Sequence, residues 1–235
     1  MRRTAVCVGV LVAVLGISTP ASASLIYNSQ LFISGSGLGT GAILTIHAVG
    51  QDTEETGCTA WNGSSIVLGS AACSVLGIAG AQTGTGAGQS SAPTLGSFGI
   101  TNASQLAIVF DPNQSGSGPI TLANLAVKLT RADGTVYFSA TTAAGVYFAS
   151  TDPGVGSAGF AFTLDPAQAA LANSFGLLGT DRIALEAAAT GFEGGPESFF
   201  AAQVEGTTVP DGGMTVTLLG LALLGLGALR RKSGA

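Results

Sequence analysis

The chain has 235 residues, with eight Lys and Arg against thirteen Asp and Glu, a formal net charge of −5, and 46% hydrophobic residues. Five of the eight bases, Arg2, Arg3, Arg230, Arg231 and Lys232, stand near the two ends. Between 24 and 208 only Lys128, Arg131 and Arg182 face twelve acidic residues, a net charge of −9, which cannot neutralise a phosphate backbone and excludes nucleic-acid binding.

The N-terminus reads as a secretory signal. Arg2 and Arg3 precede an almost unbroken apolar run over 5–17, and Pro20 then breaks it. Ala21-Ser22-Ala23 supplies the small-x-small cleavage pattern, which places the mature start at Ser24. The apolar run is short for a span of about 30 Å of hydrocarbon, so 1–23 is expected to be a removed signal peptide rather than an anchor. The body between the two ends, 24–208, has the size of one ordinary domain.

Apolar and polar residues alternate over 25–33 and predict a first strand, followed by a Gly/Ser loop at 34–41 and a second strand over 42–49. Residues 51–57 read as an acidic turn leading into a loop that holds Trp61 and a short strand at 65–68. Cys7 leaves with the signal, so Cys58 and Cys73 form an even pair in an exported protein and predict one disulfide. Closing a loop of that size stabilises by about 3 kcal/mol in the chain-entropy model. The Gly, Ser, Thr and Gln of 80–91 have little to bury and predict a mobile loop. Strands are expected at 106–110 and 120–130, with Asp133-Gly134 turning the latter into 135–140 as a hairpin. Two more are expected at 146–149 and 159–164. Asp165 as N-cap, Pro166 at the first position and good helix formers over 167–175 up to Gly176 predict one helix. Strands at 182–189 and 197–205 complete the body. Nine or ten short strands with one helix predict a mainly β fold, an antiparallel β-sandwich or jelly-roll-like body.

The C-terminal segment has three parts in order. Val209-Pro210-Asp211-Gly212-Gly213 is a turn-forming punctuation, 214–229 is uncharged and mostly Leu, Gly and Ala, and Arg230-Arg231-Lys232 closes the run. Sixteen helical residues rise about 24 Å, short for a permanent span, and the basic cluster is expected to stay cytoplasmic. This order resembles the PEP-CTERM sorting domain, in a V-P-D-x-G variant of its motif. The resemblance implies a precursor held transiently in the inner membrane by 214–229 and cut near the motif by a membrane protease-transpeptidase of the exosortase type. It also implies a cell-surface or extracellular-matrix destination associated with exopolysaccharide or biofilm. The stretch Gly194-Gly195-Pro196-Glu197-Ser198-Phe199-Phe200 is similar to a feature of some members, such as the cistern family.

Chemistry has few places to reside. Any Ser-His-Asp or Cys-His arrangement needs His47, the single His, and no G-x-S-x-G or Walker sequence occurs. Gly37-x-Gly39-x-x-Ala42 precedes a strand, the wrong context for a dinucleotide fingerprint. His47 with Asp52, Glu54 and Glu55 is the one conceivable metal set, and reads better as an exposed strand residue beside an acidic turn. Asp111-x-Asn113-x-Ser115-Gly116 copies the opening of a calcium loop, but Leu122 stands where a bidentate acid belongs, so a β-turn is expected. Glu193 and Glu197 make a glycosidase pair only in the sense that most sequences offer one. Trp61, Tyr27, Tyr137 and Tyr147 are candidates for a sugar-stacking platform, with one ring of each Tyr-Phe neighbour pair expected to point outward. The Asn-x-Ser sequons at Asn62, Asn102 and Asn113 are expected by chance in a Ser-rich chain. No cofactor is called for. The sequence therefore points to an exported, non-enzymatic surface protein, with a secreted carbohydrate-binding module as the alternative.

Overall fold

The computed structural model describes residues 24–32, 41–47, 54–78, 90–114, 118–149, 159–193 and 195–204. The signal-peptide residues Ala21 and Ala23, the motif Val209, Pro210, Asp211, Gly212 and Gly213, the apolar 214–229 and the cluster Arg230, Arg231 and Lys232 lie outside the described residues. So do nearly all of the loops expected at 34–41 and 80–91. Among the described residues no helix is long and apolar enough to cross a membrane.

The body is mainly β, with one short helix, as the alternation predicts. In chain order the strands are β1 (Ser24–Phe32), β2 (Leu44–Ile46), β3 (Glu54–Trp61), β4 (Ile66–Leu68), β5 (Leu106–Asp111), β6 (Ile120–Thr130), β7 (Val136–Thr142), β8 (Val146–Phe148), β9 (Phe160–Leu164), β10 (Arg182–Thr190) and β11 (Glu197–Gln203). Helix α1 (Pro166–Ser174) follows β9, where Asp165 accepts from the Gln168 N–H at 2.7 Å and Gly176 ends it at φ +70°. Of the 51–57 segment expected to be an acidic turn, the described residues 54–57 are instead the start of β3. Its Glu55 and Cys58 are buried and its Gly57 and Cys58 pair with β10, so polar identity hid a paired strand.

Two packed antiparallel layers are not what forms. The described strands make one mixed sheet in the order β2-β11-β5-β9-β1-β7-β6-β10-β3-β4, with β8 added on β6. β1 is the reason. It pairs antiparallel with β9 (Leu25↔Leu164, Tyr27↔Phe162) and parallel with β7 (Ser24↔Thr141, Leu25↔Thr142), joining what would otherwise be two sheets. β2, first in that order, lies against β3 and β10 near its other end, so the sheet curls into a half-barrel. The concave face encloses one core, with Leu44, Phe110, Leu125, Phe162, Leu185 and Phe199 at its centre. Phe110 stacks on Phe199 at 5.0 Å between centroids, and Tyr27, Phe148 and Phe160 extend the aromatic contacts.

The convex face of β3, β10 and β6 carries small or polar residues at its centre: Cys58, Ala184, Ala188, Ala126, Glu186 and Lys128. The chain from 69 to 78 folds over it, tied first by the Cys58–Cys73 disulfide that the cysteine pattern predicts. The second tie is electrostatic. Glu186, with no exposed surface, accepts from the backbone N–H groups of Ser74 (2.7 Å), Val75 (2.9 Å) and Leu76 (2.7 Å). Its Oε1 also meets the Lys128 ammonium at 2.9 Å, and Lys128 donates onward to the Ala72 carbonyl at 2.6 Å. Burial pulls Lys128 below its ordinary value, against the opposing hydrogen bond and charge of Glu186. Burial pushes the Glu186 carboxyl up, but the Leu76 N–H, Lys128 and the Ser74 N–H together outweigh it and hold the group below its usual value.

Removing one partner leaves a buried charge, so Lys128→Met is expected to lower unfolding free energy by about 3–5 kcal/mol in urea titrations. A carboxyl held lower in the fold than in the unfolded chain stabilises at pH above its unfolded value and loses that contribution as pH falls through its folded one. Stability should therefore decline below about pH 4, and Glu186→Gln should flatten that decline in thermal melts while lowering stability at neutral pH. Replacing both Cys58 and Cys73 by Ser should cost about 3 kcal/mol by the same urea measurement.

Candidate functional site

A concavity among the described residues arises at a register change in β1. Tyr27 faces Phe162, yet the next pairing sets Phe32 opposite Phe160, so β1 advances five residues while β9 advances two. The excess bows β1 away from its neighbour and opens a half-exposed groove of about 1080 Å³ against α1, the 3-10 turn Ala103–Gln105 and the end of β11. Its base is apolar, with Ile26, Leu31, Leu164 and Ala169, and its polar lining is dominated by the carboxamides of Asn28, Gln30, Asn102, Asn173 and Gln203.

Several of these amides are fixed by their own hydrogen bonds. Asn102 caps the 3-10 turn by accepting from Ser104 N–H at 2.9 Å, and Gln105 reaches back to accept from Asn102 N–H at 2.9 Å, a capping box. Asn173 of α1 donates to Asn102 Oδ1 at 2.9 Å and accepts from Ala103 N–H at 2.8 Å, docking the helix on the turn. Gln203 donates to the Gly99 carbonyl at 3.1 Å, and Val204 N–H donates to the Gln105 carbonyl at 2.8 Å. The one carboxylate on the lining, Asp165, serves as the helix cap. The groove thus offers mostly neutral donors and acceptors over an apolar floor, with Asp165 as its one carboxylate.

The residues considered for chemistry do not assemble. His47 lies 3.9 Å from Glu55 and is half exposed, Glu54 points to solvent, and Asp52 is outside the described residues. Among the described residues no three His, Cys, Asp or Glu come together as metal ligands. Leu122 is buried in the core, and Asn113 accepts from Gly195 N–H at 3.1 Å through its backbone carbonyl; Ser115 and Gly116 are outside the described residues. Glu193 is exposed in a loop, its N–H donating to Gln114 at 2.7 Å. Glu197 is fully buried at the start of β11, two residues from core Phe199 and so on the same face, with neither carboxylate oxygen hydrogen-bonded. One carboxyl faces solvent and the other the core, which is not the arrangement of a glycosidase pair.

The aromatic platform is dispersed as well. Arg182 covers the Trp61 ring at 3.9 Å, Arg131 covers the Tyr137 ring at 4.0 Å, and Tyr27 packs on Phe148 at 5.3 Å. Tyr147 alone projects, at 65% exposure, while its neighbour Phe148 and Tyr137's neighbour Phe138 turn inward as alternation predicts.

The three bases of the body are all engaged within it. Lys128 is paired with Glu186, and Arg182 donates to the Ala92 carbonyl at 2.6 Å. Arg131 bonds Asp181 at 2.7 Å and the carbonyls of Phe175 and Gly176, gripping the end of α1. Tyr137 donates to the same Asp181 oxygen at 2.9 Å, and burial followed by that carboxylate pushes its hydroxyl well above the ordinary value. Among the described residues no basic patch remains for an anionic ligand. The sequence composition limited the bases to three, but not where each is used. The signal available was a charge of each sign amid small and apolar neighbours, Lys128 in Leu-Ala-Val-Lys-Leu and Glu186 in Ala-Leu-Glu-Ala-Ala.

Comparison with curated proteins and with solved structures finds no match. The similarity noted at 194–200 finds no counterpart there either; Glu197, Ser198 and Phe199 are buried residues of β11. The C-terminal resemblance is upheld: residues 208–233 match the family described as the VPDSG-CTERM motif, so the chain carries a sorting signal that is a variant of the PEP-CTERM type.

Proposed function

We propose that the chain is an exported, non-enzymatic envelope or matrix protein whose precursor is held in the inner membrane by 214–229, processed by an exosortase-type enzyme, and released to the cell surface or beyond. The observation that carries this is the VPDSG-CTERM match at 208–233, whose placement after the folded body fits a removable handle. The non-catalytic part of this reading rests on the sequence, in which His47 is the single His available to a nucleophile–base arrangement. Association with exopolysaccharide or biofilm rests on the family resemblance alone. A carbohydrate-binding module loses the aromatic platform on which that reading was based.

The test is the intact mass of the protein recovered from its native host. The expected product lacks 1–23 and the apolar 214–229, and deletion of 209–213 should leave the uncut precursor in the membrane fraction. A mature product retaining 214–235 would overturn the processing reading.

A further inference from the structure

The groove lies at the last described residues, which precede the sorting motif in sequence. Gln203 and Val204 line it, and Val204 N–H is fixed to the Gln105 carbonyl, so Val204 has a defined place on this face. Four residues, 205–208, separate Val204 from the first residue of the motif. Even fully extended, the five steps from Val204 to Val209 cover no more than about 18 Å. A body of this size has a radius of gyration of about 16 Å and thus a diameter near 40 Å. An enzyme that takes the motif into its active site therefore cannot stand clear of the body.

The surface it must meet is unusual for an acidic protein. Among the described residues the exposed carboxylates Glu54, Asp133 and Glu193 all lie away from the groove lining, and the lining's own Asp165 is occupied at the helix N-terminus. Among the described residues, approach to this face meets amides, hydroxyls and apolar side chains, with the helix-capping Asp165 its one carboxylate; Glu205, next after Val204, lies outside the described residues.

We propose that the groove between the bowed segment of β1, the 103–105 turn and α1 is the docking face for the membrane-embedded peptidase that processes the tail. This rests on the sorting reading above. The body is a contributing part of the substrate, because the short tether brings this carboxylate-poor face against the enzyme while the motif is engaged.

The test is a pulse-chase of the full-length precursor in the native host, following conversion to the processed form. Gln30→Glu and Ala170→Glu, tested separately, place a charge on exposed positions of the lining that bear no side-chain hydrogen bond needed for the fold. Each is expected to slow conversion about fivefold or more through the mismatched charge. Ala132→Glu, in the β6–β7 turn, should convert at the wild-type rate. Inserting ten Gly/Ser residues after Val204 should bring both groove variants close to wild type, since the longer tether no longer forces contact. Melting temperatures of the mature proteins identify any variant that acts through misfolding, in which case the other decides. Wild-type conversion by both groove variants with the native tether would overturn the docking proposal. Failure of the wild-type precursor to convert would instead overturn the sorting reading beneath it.

Discussion

The Lys128–Glu186 pair is the contact on which the convex side of the sheet depends. The concave side closes over ordinary apolar packing, but the convex side of β3, β10 and β6 is built of alanines and a cysteine too small to bury much surface. Something must bring the 69–78 segment down onto it. Glu186 gathers three consecutive backbone N–H groups, a concave anion site of the kind that successive amides form, and Lys128 balances the charge while tethering Ala72. The pair is therefore more than a charge pair: replacing both members by apolar residues would leave those N–H groups buried and unpaired. The disulfide acts on the same segment from the other side, and the two ties share one loop, so their energies should not simply add.

Scarcity of charge shapes the rest of the molecule. Three bases in the body leave no surplus for the surface, and each holds a segment in place: Lys128 the 69–78 cover, Arg131 the end of α1, Arg182 the chain at Ala92. Close backbone approach does similar work where side chains are small. A Cβ on Gly63 would come within 2.4 Å of the Asp133 carbonyl, and one on Gly134 within 2.4 Å of Asn62, so two turns meet face to face only because both residues are glycine with φ near +90°.

Much of the fold was legible because local signals and tertiary demands agree. The 120–130 strand, the Asp133-Gly134 turn and the Asp165-Pro166 helix start stand where period and capping place them. The strand β3 was not legible, because Glu54, Glu55 and Thr56 carry no apolar alternation and are in a strand only through pairing with β10. The single curled sheet was not legible either, since the parallel β1–β7 contact that joins its halves involves two residue pairs and no motif. Two sequons turn out to have a local use: Asn62 and Asn102 each accept from the N–H and hydroxyl of the Ser two residues on, so Asn-x-Ser recurs here as turn chemistry. The groove left no trace, because its carboxamides come from separate elements far apart in the chain.

The central place of β1 has a consequence for how the protein comes to be folded. Its partners are far behind it in the chain, Leu25 pairing with Leu164 and Ser24 with Thr141. The strand nearest the start of the body must wait for the last third of it before both of its edges are filled. Such pairings make a high-contact-order fold, slow to close because long loops must be ordered before any contact rewards them. Until 160–164 are in place β1 keeps an open edge, so the body cannot close its sheet from its first half alone.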